Sequence, residues 1–210
     1  MKRASWLTIL AISVFVALGV SGLHPHDRAT WLMEVVPILI VAPLLVITYR
    51  RFPLSTLLYL LIAVHAVILM VGGAYTYAHV PFGFWLQDVL GTTRNPYDKI
   101  GHFAQGFVPA LAVREILLRG KYLTSRAMAA FLAICVALAI SAGYEMIEWW
   151  SALAMGQGAD EFLGTQGDMW DTQSDMFFAL IGAIVALFVM TRLQDRQIAV
   201  LAKNLPTCSG

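Results

Sequence analysis

Phe131-Leu132-Ala133-Ile134-Cys135-Val136-Ala137-Leu138-Ala139-Ile140-Ser141-Ala142-Gly143-Tyr144-Glu145-Met146-Ile147-Glu148-Trp149-Trp150 decides the fold. Taken from Ala127, its first part carries no charged side chain and approaches the ~20 apolar residues that cross a hydrocarbon core. It then turns polar at Tyr144, Glu145 and Glu148 and closes on two tryptophans, the kind of ring that anchors a helix at the headgroup level. A membrane helix that ends in carboxylates raises the question of what surrounds them.

Working outward, five further apolar runs repeat the pattern. The predicted spans are 6–23, 31–48, 54–74, 96–118, 127–150 and 168–190, with 191–210 as a polar tail. Composition agrees: the 210 residues are 59% hydrophobic and only 13% charged, against roughly 45–50% and about 25% in soluble domains. Residues 1–210 are therefore read as one integral membrane domain, an all-α polytopic helix bundle. A formal net charge of +1 and the lack of a Lys/Arg block exclude nucleic acid as a partner on electrostatic grounds. Cys135 and Cys208 lie in unlike surroundings, one in an apolar run and one in the tail, so no disulfide is expected.

Within this frame the run after Met1-Lys2-Arg3 reads as an uncleaved first helix, being close to full spanning length and followed by more spans. Pro37 and Pro43 fall inside the second run, which a span tolerates where neighbours satisfy the freed carbonyls. The segment 75–95 holds Tyr75, Tyr77, Phe82, Phe84 and Trp85, a composition suited to the headgroup region, and Pro81 and Gly83 argue against one continuous helix there. Asn95 and Pro96 read as cap and first residue of the fourth span.

Lys and Arg set the orientation. Lys2 and Arg3, Arg50 and Arg51, Arg119 with Lys121 and Arg126, and Arg192 with Arg196 and Lys203 occupy alternate connections. The intervening connections hold Arg28, Arg94 and Lys99. By the positive-inside rule both termini are cytoplasmic. The start of the fourth span, the end of the fifth and the start of the sixth then share the outer side.

That convergence gathers the site candidates. Asp98 and His102 are four apart, Glu145 and Glu148 three apart, and Asp168, Asp171 and Asp175 fall on one helical stripe. So many carboxylates in a low-dielectric setting need compensation. A divalent metal is one means, with His102, Glu145, Glu148, Asp171, Asp175 and Asp98 as candidate ligands, a nitrogen and oxygen set resembling zinc, manganese or iron sites. Shared protons are a second, and ion pairs with Lys99, Arg94 or Arg28 a third. Asp98, Asp168 and Asp171 also suit the first turn of a helix, where acidic groups meet the positive end of the dipole. Glu145 at a C-terminal end has no such explanation. Glu34 and His65 lie in the second and third spans as possible additions, and Arg114 and Glu115 are expected to snorkel or pair locally. His24, His26 and His79 show no ligand spacing.

Nearly the whole chain resembles the YjdF family of uncharacterised bacterial inner-membrane proteins. The likeness rests on Val20-Ser21-Gly22-Leu23-His24-Pro25, Met70-Val71-Gly72-Gly73, Tyr97 to Phe107, Tyr144 to Trp150 and Phe162 to Asp171. Its last three spans are more distantly similar to the VanZ-like membrane proteins. There an Asp-Lys-x-x-His-Phe opening, a Glu-x-x-Gln pair and an Asp-x-x-x-Asn followed seven residues later by Gly correspond to Asp98, Lys99, His102 and Phe103, to Glu145 and Glu148, and to Asp171, Asp175 and Gly182. Glu148 replaces the usual Gln and Asp175 the usual Asn, which makes this site more acidic. The resemblance implies a multi-pass protein of the bacterial inner membrane and an envelope context.

The expected activity is metal-dependent chemistry on an envelope or lipid-borne substrate, with Glu145, Glu148 and Asp168 as the catalytic carboxyls. An ion- or proton-coupled carrier or small-molecule binder, and a structural protein whose cluster clamps helices, are the alternatives. Membrane lipid is a partner on any of these readings.

Overall fold

The computed structural model describes residues 3–155 and 166–204. Seven α-helices and no strand are present among the described residues: α1 Arg3–Ser21, α2 Arg28–Thr48, α3 Thr56–Tyr75, α4 Pro81–Leu90, α5 Tyr97–Arg119, α6 Arg126–Met155 and α7 Asp171–Asn204. The chain is thus an all-α polytopic bundle. Five of these helices, all but α4 and α5, are long and apolar enough to cross a membrane.

Which side chains face outward shows what solvent the fold is built for. Phe188 is 88% exposed and Phe131 61%, whereas Glu115 and Gln194 are 0% exposed and Asp175 2%. Apolar groups outside with polar groups sequestered is the pattern demanded by lipid, where each unsatisfied polar group costs several kcal/mol. By the same logic α5, with Asp98, Lys99, Arg114 and Glu115, runs through the middle of the bundle. It packs against α3, α6 and α7 while α3 in turn carries α1 and α2.

Small residues let α5 and α7 approach closely, as membrane helices require when hydrophobic burial supplies little attraction between them. A Cβ on Gly106 would sit 1.8 Å from the Ala179 carbonyl oxygen, and one on Gly182 would sit 2.0 Å from that of Phe103. Below this crossing, Ala110, Ala133, Ala137 and Ala183 form a buried seam of methyl groups among α5, α6 and α7. Leu54, Leu58, Val108, Leu111 and Ala186 fill the space between α3, α5 and α7.

Caps and prolines tie local structure to this packing. The Asp27 carboxylate accepts from Thr30 N–H at 2.6 Å and starts α2. Pro37 cannot donate to the carbonyl of Met33, four residues earlier. Tyr144 on α6 donates its hydroxyl there instead, at 3.2 Å. The freed carbonyl is therefore satisfied by a neighbouring helix, and α2 is tied to α6.

At the end of the bundle where α5 finishes, the buried charges are paired. Glu115 accepts from Ser55 N–H at 2.7 Å and from Arg119 at 2.8 Å. Arg114 donates to Gln194 and Asp195, both at 2.8 Å, and Arg126 to Asp195 at 2.6 Å. Arg119 also lies over the Phe52 ring, 4.2 Å from its centroid. Arg114 and Glu115 were expected to snorkel or pair locally. Instead Arg114 is held across helices by α7, and Glu115 joins α3 to α5 while pairing locally with Arg119.

Those bonds also explain the length of α7. The sequence places a tail from residue 191, yet α7 continues helically to Asn204. Gln194, Asp195 and Gln197 bond to α5, α6 and the start of α3, which keeps the extra turns in place. At its other end α7 begins at Asp171, so Asp168 lies in the preceding turn, where its carboxylate accepts from Trp170 N–H at 2.9 Å. α6 likewise runs past Trp150 to Met155. Of the 155–167 connection, residues 156–165 lie outside the described residues. The aromatic segment resolves into a left-handed turn at Thr76 and Tyr77 followed by α4, with Pro81 in its first turn. Tyr75, Phe82, Phe84 and Trp85 are exposed as expected for the headgroup level, but Tyr77 is buried because its hydroxyl is recruited inward.

Candidate functional site

Where α5 starts, α6 ends and α7 starts, the structure brings the acidic groups together. Asp98, His102 and Asp175 each present a ligand atom within 4.8 Å of the others. His102 Nε2 lies 3.3 Å from Asp98 Oδ1 and 3.6 Å from Asp175 Oδ2. His102 Nδ1 is 3.0 Å from Gln105 Oε1 and 3.8 Å from Glu145 Oε1. That Glu145 oxygen is buried and has no hydrogen-bond partner, in a residue only 7% exposed. A carboxylate oxygen stripped of water and left unpaired beside an imidazole is costly unless something meets it.

Two cations enter the cluster from the α5 side. Lys99 Nζ donates to Asp175 Oδ1 at 2.5 Å and to Asp171 Oδ1 at 2.7 Å, with Asp98 Oδ2 at 3.5 Å. Arg94 Nη2 donates to Asp171 Oδ1 at 2.5 Å and lies 3.3 Å from Asp168 Oδ2. Arg94 precedes α5. Burial would weaken its charge, but the carboxylates of Asp171 and Asp168 outweigh that and hold its pKa above the ordinary value. Lys99 and Arg94 thus supply the ion-pair compensation that the sequence allowed, and Asp171 is their shared acceptor.

The two α6 carboxylates diverge. Ser141 and Glu145 continue the buried stripe of Ala133 and Ala137 that faces α5 and α7. Ile140, Tyr144 and Glu148, spaced by four, line instead a cavity of about 940 Å³ walled by α1, α2, α3, α5 and α6. Glu34 and His65 reach this cavity too. Tyr77 donates its hydroxyl to Glu34 at 2.8 Å, and His65 Nε2 is buried without a partner. The site therefore has two halves that share Asp98 and His102: an interior one against α7 and one open to the cavity.

Several positioning residues were hidden in the sequence. Asn95, 2% exposed, donates to the carbonyls of Ala78 and Val80 and accepts from Tyr97 N–H, fastening the turn before α4 to the start of α5. Its backbone also exchanges hydrogen bonds with the Gln166 side chain. Sequence reading sees in it only a cap. Gln105 and Tyr144 could be found as polar groups one helical turn from His102 and Glu148; the role of Tyr77 depends on a turn that brings it under α3 and has no sequence signal. Trp149, Trp150 and Trp170 are exposed at this end, as interfacial anchors are.

Residues 6–196 match the family described as "Predicted membrane protein (DUF2238)". The chain is also similar to the Inner membrane protein YjdF of Escherichia coli (strain K12), with 62% identity over 192 residues, which is 91% of this chain and 92% of that one. No solved structure matches.

Proposed function

Starting from the fact that the chain belongs to this family of multi-pass inner-membrane proteins, we propose that its acidic end is a divalent-cation site for acid–base chemistry on an envelope or lipid-borne substrate. The observation that carries this reading is the convergence of Asp98, His102 and Asp175 within 4.8 Å. Glu145 Oε1 stands beside them, buried and without a hydrogen-bond partner.

The donor set fits. One imidazole nitrogen with carboxylate oxygens is the chemistry of zinc, manganese and iron sites. Asp175 gives one oxygen to Lys99 and keeps the other, Oδ2, toward His102. Gln105 at Nδ1 fixes the His102 ring and leaves Nε2 as the nitrogen facing both aspartates. A bound divalent ion polarises a substrate oxygen or lowers the pKa of a bound water. Around it, Glu145 serves as a further ligand or as the base, Glu148 as the carboxyl nearest a substrate in the cavity, and Asp168 and Asp171 as the groups that hold Arg94 and Lys99. On the reading of six spans with both termini cytoplasmic, α5 is the fourth crossing and this end is periplasmic; at ~1.5 Å per residue the 23 residues of α5 reach about 34 Å, enough to cross.

Elemental analysis of purified protein tests the metal. Stoichiometric zinc, manganese or iron in the native chain, lost in His102→Ala and Asp175→Asn, supports it; protein that never holds metal under loading conditions sinks it. A purely structural clamp is the second reading, favoured by the Lys99 bridge from α5 to Asp171 and Asp175 of α7. It predicts variants that lose only stability. The orientation is tested by labelling cysteines introduced at Met169 and Tyr122, both exposed and at opposite ends, in a chain lacking Cys135 and Cys208. Periplasmic labelling at 122 instead of 169 would reverse it.

A further inference from the structure

The cavity beside the site has a composition gradient that points to its occupant. Along α2 its lining runs from Glu34 to Arg50 and along α5 from Asp98 to Val113, about 22–24 Å at ~1.5 Å per residue. That is more than one leaflet's half of the ~30 Å hydrocarbon core. Most of the length is walled by apolar side chains such as Leu7, Ile38, Ile62 and Val108. Its volume of about 940 Å³ lies near the top of the ~300–1,000 Å³ range of ligand pockets.

All its carboxylates are at one end. Glu34, Asp98 and Glu148 line that end together with His65 and His102, whereas Lys99 and Arg94 are absent from the lining. The remaining acceptors point the same way. Pro109 lines the cavity and has no N–H to give the carbonyl of Gln105, four residues earlier, so that helical acceptor is released beside the Gln105 side chain. Charge and hydrogen-bond capacity at this end therefore call for a positively charged donor, and the rest of the space calls for hydrocarbon.

We propose that this cavity binds a membrane lipid carrying an aliphatic chain and a positively charged amine head, with the chain between α2 and α5 and the ammonium among Glu34, Asp98 and Glu148. The proposal rests on the reading of the acidic end as a site for a lipid-borne substrate and names the class of that substrate. A compact ammonium supplies several N–H donors and no acceptor, which matches a wall of acceptors. At this end an anionic head would meet three carboxylates and no lysine or arginine of the lining, whose arginine, Arg50, stands at the other end. Reaction at the metal-binding half needs no further reach, because Asp98 and His102 belong to both halves.

Binding of hexadecylamine, hexadecanol and hexadecanoic acid to the detergent-purified chain, followed by native mass spectrometry, tests this. Hexadecylamine is expected to bind saturably with one molecule per chain, about tenfold tighter than the alcohol, and the acid more weakly than either. Glu34→Gln with Glu148→Gln reduces the amine to the level of the alcohol, while Ala42→Phe, which fills the chain region, weakens both. Glu148→Gln alone serves the same purpose should the double variant fail to fold, as judged by its thermal midpoint. Equal binding of the three amphiphiles, or an amine preference that survives loss of the carboxylates, overturns the proposal. Metal content measured on the same samples separates the two readings: an amine preference in chain that takes up no metal refutes the metal site and keeps the lipid site, and the converse result does the opposite.

Discussion

Asp175 Oδ2 lies 3.6 Å from His102 Nε2, and each residue sits four positions before a partner in the close approach of α5 to α7, Ala179 for one and Gly106 for the other. One helical turn therefore separates the His–Asp pair from the crossing that sets its spacing. The glycine governs the distance between two side chains that it does not touch.

Gly106→Ala should consequently disturb the site through the backbone. Its methyl would meet the Ala179 carbonyl at 1.8 Å, so α5 and α7 must separate, at a cost on the order of 1–3 kcal/mol for overpacking. A lowered thermal midpoint in detergent together with weakened metal retention is the expected result. Gly182→Ala, against the Phe103 carbonyl, should behave alike; normal metal content in both would show that the crossing does not set the site.

Lys99 offers a second measurement. Removing one partner of a buried ion pair typically costs about 3–5 kcal/mol, because the other charge is left uncompensated. Lys99→Met should therefore be strongly destabilising. Adding Asp171→Asn should recover part of the loss, since Asp171 keeps Arg94 as a partner only for its charged form. Strictly additive losses in this double-mutant cycle would mean that Lys99 and Asp171 are not coupled.

At the opposite end, Glu115→Ala strands Ser55 N–H and removes one bond each from Arg119 and Gln194. Breaking such a buried pair is again worth roughly 3–5 kcal/mol. The measurement that matters is the contrast: stability falls while metal and amine binding per folded chain stay unchanged. Loss of ligand binding in the folded fraction would show that the two ends are coupled.

Asp27 gives a pH signature. The Thr30 backbone N–H bonded to its carboxylate is the main cause holding its pKa below the ordinary 3.8, against the opposing pull of burial. A depressed carboxyl contributes stability above the unfolded-state pKa and loses it as pH falls through the folded-state value. Asp27→Ala should cost about 1 kcal/mol near neutral pH, as lost N-caps do, with the gap to the native chain closing below pH 3.8. A gap independent of pH would assign the loss to packing.

How much of this is legible in the sequence depends on range. Apolar runs report their own length, and Lys and Arg report sidedness, so the bundle and the shared end of Asp98, Glu145 and Asp175 can be read residue by residue. The division of Glu145 from Glu148 cannot, because three positions on a helix are compatible with one face until the neighbours are placed. Asp171 stands out in the sequence by its spacing, but that it accepts from Arg94, 77 residues away, is visible only in the structure. The tail after 190 reads as solvated, and its helix is visible only once Gln194 and Asp195 are seen to hold Arg114. The cavity has no sequence signal, being the space that five helices leave between them.

The continuity of α7 gives the site a register. Asp175 and Gln194 stand on one unbroken helix, about 28 Å apart at ~1.5 Å per residue, and each is locked to α5, by Lys99 at one end and Arg114 at the other. Gly182 is meshed between them. A single residue inserted after Gly182 would turn everything beyond it by about 100°, so the two locks could not both close. The spacing between the acidic site and the basic end thus works as a vernier: any insertion or deletion between them forces a choice between the two ends.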